Sequence, residues 1–136
     1  MRERILAVND EETVRDIISS MLTSGGYQCQ AVESGLDALA MLAAGEQFEL
    51  ILTDMLNWPM DGLTLLLRTK KEFPDIAIVV ASAIRDDAVV QECFRSGACE
   101  YLFMPFSREQ LLDTVSRALE REKEATKDLE SPPETR

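Results

Sequence analysis

Histidine is absent from this chain, and its 14 basic side chains are outnumbered by 25 acidic ones, for a formal net charge of −11. The first absence excludes histidine-based triads, histidine metal sites and phosphohistidine chemistry carried by the chain itself. The second argues against nucleic acid, which needs a basic patch, and against an anionic membrane surface. Cysteine is scarce: Cys29, Cys93 and Cys99 form no C-x-x-C pair, which excludes a zinc knuckle or a thioredoxin-type motif. Each lies in an apolar run, so three reduced core thiols in a cytoplasmic protein are expected. No apolar run approaches the roughly 20 residues of a membrane span. Ile5 to Val8 is too short for the core of a signal peptide.

What is present is enough for one folded domain: 136 residues, 46% of them hydrophobic. Short apolar runs alternate with helical spacing. Ile5 to Val8 is followed by Val14, Ile17, Ile18, Met21 and Leu22, which share one helix face, and Gly25-Gly26 stops that helix. Tyr27 to Val32 alternates polar with apolar, as suits an edge strand, and Ser34 caps a second helix that closes at Gly45. Leu50 to Thr53 is the third strand, and Leu63 to Phe73 the third helix, ended by Pro74. Ile76 to Ala81 reads as a strand buried on both faces; Asp86 or Asp87 opens the fourth helix and Gly97 closes it. Tyr101 to Phe103 is the fifth strand, and Ser107 with Gln110 forms a capping box for the fifth helix.

The order is (βα) repeated five times, which predicts an α/β fold with a parallel sheet covered on both faces. Residues 1–119 are the expected domain. Residues 120–136 read as a helix extension and a charged, disordered tail or linker, on a chain that is either stand-alone or cut from something longer.

Ligands of an open parallel sheet bind beyond the carboxyl ends of its strands. There the first strand ends in Asn9-Asp10-Glu11, the third in Asp54, the fourth in Ser82-Ala83 and the fifth in Met104-Pro105. With the first and third strands adjacent, Asp10 and Asp54 come together, and a hard divalent cation would relieve their repulsion. Ser82 would add a hydroxyl.

These strand ends carry a resemblance. Residues 4–119 resemble a receiver domain of the two-component response regulators. The match rests on Ile5 to Glu11, Leu52-Thr53-Asp54, Pro59-Met60-Asp61-Gly62, Val79 to Ala83 and Tyr101 to Phe106, in that order. It implies a doubly wound, flavodoxin-like fold with strand order 2-1-3-4-5. Asp54 would be the phosphoacceptor, receiving a phosphoryl group from the histidine of a sensor kinase or phosphotransfer protein. Mg²⁺ would be held by Asp10, Asp54 and the backbone carbonyl of Leu56, with Asn9 reaching it through water. Ser82 and Ala83 would bind the phosphoryl group, and Tyr101 would be the aromatic switch. The partner-binding face, for a downstream protein or a second copy, would be the fourth helix, fifth strand and fifth helix. The domain would be no enzyme beyond assisting its own phosphoryl transfer, and the missing histidine would belong to the partner.

Three positions depart from the family. Asn9 replaces a carboxylate of the acidic pair. Met104 replaces a lysine that would pair with the acceptor. Trp58 stands where a proline is usual, and is either a partner anchor or a cover for the site. A carboxylate and a lysine are lost together, so the formal balance of the pocket is kept until a phosphoryl group adds about −1.5 to −2. Arg85 is the candidate substitute cation, its alternative being an ordinary exposed arginine. Leu56 and Ile84 are expected to obstruct an attacking water and lengthen the life of the phosphoryl group. The competing reading is a degenerate receiver that binds proteins without phosphate. A haloacid-dehalogenase-like phosphatase is excluded because Asp54-Met55-Leu56 lacks a second aspartate, and a flavodoxin because Asn9 to Glu12 repels phosphate.

Overall fold

A computed structural model describes residues 2–56 and 61–130, with side chains through residue 125. Ten elements alternate without exception. They are β1 (Arg4–Val8), α1 (Glu12–Ser24), β2 (Gln28–Val32), α2 (Gly35–Ala43), β3 (Leu50–Thr53), α3 (Gly62–Glu72), β4 (Ala77–Ser82), α4 (Asp87–Arg95), β5 (Glu100–Phe103) and α5 (Arg108–Glu130). The strands form one parallel sheet in the order β2-β1-β3-β4-β5, as the resemblance implied.

Strand alternation splits the core between two faces. Ile5, Ala7, Leu50, Leu52, Val79 and Leu102 pack beneath α1 and α5. Leu6, Val8, Ile51, Ile78 and Val80 face the other way, against Leu39 and Leu42 of α2, Leu65 and Leu66 of α3, and Cys93 of α4. Complete burial of each such aliphatic side chain contributes on the order of 1.5–3 kcal/mol before entropy is counted. β2 lies at the edge, and its side chains are only partly covered.

Helix starts follow local chemistry. Ser34 Oγ accepts from Asp37 N at 3.1 Å, Asp61 Oδ1 from Thr64 N at 2.8 Å and Asp86 Oδ1 from Ala88 N at 2.8 Å. The capping box is reciprocal: Gln110 N donates to Ser107 Oγ at 3.1 Å, and Ser107 N to Gln110 Oε1 at 2.8 Å.

α5 passes residue 119 without a break. Arg121 Nη1 lies 3.0 Å from Glu100 Oε2 and donates to the carbonyl of Cys99 at 2.9 Å. Glu122 faces Lys70 at 3.6 Å, and Lys70 Nζ also donates to the carbonyls of Pro74 and Ile76. These contacts, about four turns into α5, tie the helix to β5 and to the residues that lead into β4.

The expectation of three core thiols is corrected. Only Cys93 is fully buried; Cys29 and Cys99 sit at the margins of the core, and all three are free. Burial pushes all three thiols above their ordinary pKa. Among the described residues no helix is long and apolar enough to cross a membrane.

Candidate functional site

Parallel register brings the strand ends level. Val8 pairs with Thr53, Thr53 with Val80, and Val80 with Tyr101. The next residues of each chain segment therefore emerge along one edge: Asn9 and Asp10 after β1, Asp54 after β3, Met104 after β5. Backbone bonds carry the register outward. Asp54 N donates to the carbonyl of Val8 at 3.4 Å, Asn9 N to that of Val32 at 3.1 Å and Met104 N to that of Ser82 at 2.9 Å.

A cavity of about 320 Å³ opens at this edge. Glu11, Asp54, Ser82 and Ala83 contribute to its lining. Leu56, Ile84, Met104 and Pro105 form apolar walls. Asp54 is half-buried, and its Oδ1 faces the amide of Leu56 at 3.3 Å, so a backbone donor already addresses the carboxylate. Ser82 is 1% exposed, whereas Leu56, two residues beyond Asp54, is 71% exposed.

The loop between Asp54 and α3 closes on a glycine for a steric reason. Gly62 N donates to the carbonyl of Met55 at 2.9 Å. A Cβ at Gly62 would lie 2.3 Å from the backbone oxygen of Asp54 and 2.9 Å from Cα of Met55. Only hydrogen fits between the start of α3 and the backbone that leaves β3.

The loop after β4 is held at both backbone groups of Ile84. Ser82 Oγ accepts from Ile84 N at 3.1 Å, and the Tyr101 hydroxyl donates to the Ile84 carbonyl at 2.8 Å. Burial chiefly raises the Tyr101 pKa; the hydrogen bond to Ser82 opposes this, and the charges of Cys93 and Asp54 add to it.

The other sequence-derived residues fall as follows. Asn9 is buried and serves the chain turn, its Oδ1 accepting from Glu11 N at 2.9 Å while its carbonyl accepts from Arg15 Nη1 at 2.8 Å. Asp10 is exposed at the same edge, outside the residues that line the cavity. Met104 lines the cavity and packs on the core face beneath α1 and α5. The Arg85 guanidinium lies over the Phe103 ring at 4.4 Å, and Phe103 in turn meets Tyr101 at 5.4 Å between centroids. Trp58 lies outside the described residues.

Glu11 and Gly62 are the site residues to which sequence reasoning gave no role. The signal for Glu11 was its place two residues after an Asn, a spacing that lets the side chain of Asn9 bond its amide and turn the chain inward. For Gly62 it was a glycine directly after a helix-capping aspartate.

Among the described residues no group of three or more His, Cys, Asp or Glu side chains is placed to hold a metal. The oxygen groups that follow β1 and β3 at this edge, Asp10, Asp54 and the Leu56 carbonyl, are of the chemical type that Mg²⁺ accepts while keeping several waters.

Comparison with known proteins agrees with this fold. The model of the response regulator receiver domain family matches residues 5–116. The chain is 36% identical over 118 residues to the response regulator protein FleR of Pseudomonas aeruginosa, covering 86% of this chain and 24% of that protein. It is 30% identical over 119 residues to sporulation initiation phosphotransferase F of Bacillus subtilis, covering 88% of this chain and 95% of that one. The crystal structure of NtrX from Brucella abortus superimposes with a TM-score of 0.86 at 28% identity, over 97% of this chain and 31% of that one. The chain thus spans about a quarter of the length of FleR and nearly all of the Bacillus protein.

Proposed function

The chain belongs to the response regulator receiver domain family, and on that premise we propose that it takes a phosphoryl group onto Asp54 from the phosphohistidine of a kinase or phosphotransfer protein. An oxygen of the Asp54 carboxylate attacks phosphorus, the P–N bond to the donor imidazole breaks, and the donor ring nitrogen takes up a proton. The observation that carries this reading is the shared cavity of Asp54, Ser82 and Ala83 at the carboxyl edge of a sheet ordered 2-1-3-4-5.

Each group has a task. The Leu56 amide, already on Asp54 Oδ1, fixes the nucleophile. The hydroxyl of Ser82 and the amide of Ala83 are donors for phosphoryl oxygens. Asp10, Asp54 and the Leu56 carbonyl are the residues that would hold Mg²⁺, which when bound supplies positive charge to offset that of the phosphoryl group. Leu56 and Ile84 screen the acceptor from water.

Donation of the Ser82 hydroxyl to a phosphoryl oxygen leaves its oxygen free to keep accepting from Ile84 N, so movement of Ser82 toward the phosphoryl group draws on Ile84, whose carbonyl Tyr101 holds. The readout is then carried to the α4-β5-α5 face, where Phe94 and Phe103 are exposed large apolar residues fit for a protein contact.

One observation favours the phosphate-independent alternative: Met104 supplies no charge, and Arg85 is stacked on Phe103. The two readings separate in one experiment. Acetyl phosphate or beryllofluoride is added with Mg²⁺, and intact mass and Trp58 emission are followed. A phosphoryl adduct abolished by Asp54→Asn is expected. No adduct from acetyl phosphate or from a phosphohistidine donor, with unchanged emission, leaves the interaction-domain reading.

A further inference from the structure

β5 holds the end of β4 and the loop after it at successive points. In the ladder Ser82 pairs with Phe103, and Met104 N donates to the Ser82 carbonyl at 2.9 Å. The Tyr101 hydroxyl donates to the Ile84 carbonyl at 2.8 Å. One residue further on, the Arg85 guanidinium lies over the Phe103 ring at 4.4 Å. Tyr101 and Phe103 stand two residues apart on one strand, so their side chains share a face of the sheet. Their rings meet at 5.4 Å between centroids with 58° between planes, within the range of attractive aromatic pairs. The Ile84 carbonyl belongs to the peptide that joins Ile84 to Arg85, so the Tyr101 hydroxyl and the Phe103 ring act on adjoining parts of one short segment.

We propose that Phe103 is a positioning residue for the acceptor site: through Arg85, its ring restrains the β4–α4 loop against movement of Ser82 toward a phosphoryl group. Ser82 Oγ accepts from Ile84 N at 3.1 Å, so a displaced Ser82 draws on Ile84, and Arg85 is the next residue of the chain. The ring contact resists that displacement with the strength of an exposed cation–π pair, equivalent to about two- to fivefold in an equilibrium constant. Removal of either the ring or the cation therefore favours the displaced loop while Asp54, Ser82 and Tyr101 stay as they are. The inference rests on the phosphoacceptor reading for its purpose. The restraint itself is present before any phosphoryl transfer, so it can be tested separately.

The test uses the full ¹³C,¹⁵N-labelled chain, unmodified and with Phe103→Leu, Arg85→Gln, the two together, or Phe103→Tyr, which keeps the ring face. Arg85→Gln removes the cation and leaves the Tyr101–Phe103 ring pair intact. In the first arm no phosphoryl analogue is added. The side-chain δ protons of Arg85 should be shifted upfield by the ring in the unmodified chain and in Phe103→Tyr, and not in Phe103→Leu. Amide exchange at Ile84 should quicken about two- to fivefold in each of Phe103→Leu and Arg85→Gln, and no further in the double variant. In the second arm Mg²⁺ is present and beryllofluoride is titrated, with the Ser82 and Ala83 amides followed. Half-saturation should fall about two- to fivefold in the same three variants and stay put in Phe103→Tyr. Additive effects in the double variant, or exchange that quickens equally throughout β4 and β5, overturn the restraint, because they report two separate losses or a general loosening. Unchanged half-saturation in Phe103→Leu, with saturation still reached, overturns the positioning role. If beryllofluoride moves no amide in any chain, the proposed function fails, while the first arm still decides the restraint.

Discussion

Tyr101 and Ser82 hold the two backbone groups of one residue: the Tyr101 hydroxyl donates to the carbonyl of Ile84, and the Ser82 hydroxyl oxygen accepts from its amide. Neither residue is near the other in sequence. The register Val80 to Tyr101 makes them neighbours and aims both at the β4–α4 loop.

Tyr101→Phe removes one of the two holds and keeps the ring. A loss of about 0.5–1.5 kcal/mol in unfolding free energy is expected from denaturant titration. Amide exchange at Ile84 and Arg85 should quicken more than exchange in β4. An unchanged exchange rate there would show that Ser82 alone sets the loop.

Both tyrosines titrate above the ordinary value of about 10, chiefly because burial disfavours the phenolate. The folded state keeps the proton where the unfolded state has lost it. The contribution to stability is therefore complete below the unfolded pKa and is lost as pH rises through the folded value. Absorbance at 295 nm should show midpoints above 10 in the folded chain, one of them missing in Tyr101→Phe. Midpoints at or below the free value would contradict the burial described.

Gly62→Ala puts a methyl group where the nearest atom is the Asp54 backbone oxygen, at 2.3 Å. Backbone cannot swing aside as a side-chain tip can. A loss of about 1–3 kcal/mol is expected. Because the displaced atom belongs to the acceptor residue, phosphoryl uptake should fall even where the variant is folded by circular dichroism.

Glu100 is 8% exposed and receives Arg117 at 3.4 Å and Arg121 at 3.0 Å, both arginines being largely in solvent. Removal is asymmetric. Glu100→Gln leaves two exposed cations, and about 1 kcal/mol or less should be lost. Arg117→Ala with Arg121→Ala leaves a buried carboxylate, for which about 1–3 kcal/mol is expected. Equal losses in thermal melts would count against the burial argument.

The fold was readable because each apolar run and each cap encodes one local element: Ser34, Asp86 and the Ser107–Gln110 box stand where the helices begin. Asp54 and Ser82 were readable as site residues because they end buried strands, and parallel pairing alone sets them on one edge. Side-chain direction was not readable. The path of Arg85 depends on Phe103 reaching the surface beside it, and β5 supplies that ring from 18 residues further along the chain. Likewise nothing in the string Asn9-Asp10-Glu11 says that the turn made by Asn9 brings Glu11, rather than Asp10, to line the cavity. Strand edges shifted by a residue, β2 starting at Gln28 and β4 at Ala77, because pairing partners rather than composition end a ladder.

The uncharged lining contributed by Met104 has a consequence for information as well as for charge. A pocket that carries its own counter-ion responds to one input. One lined there by methionine leaves that part to whatever cation binds with the phosphoryl group, so the strength of the response would follow the supply of that cation as well as that of the phosphoryl donor.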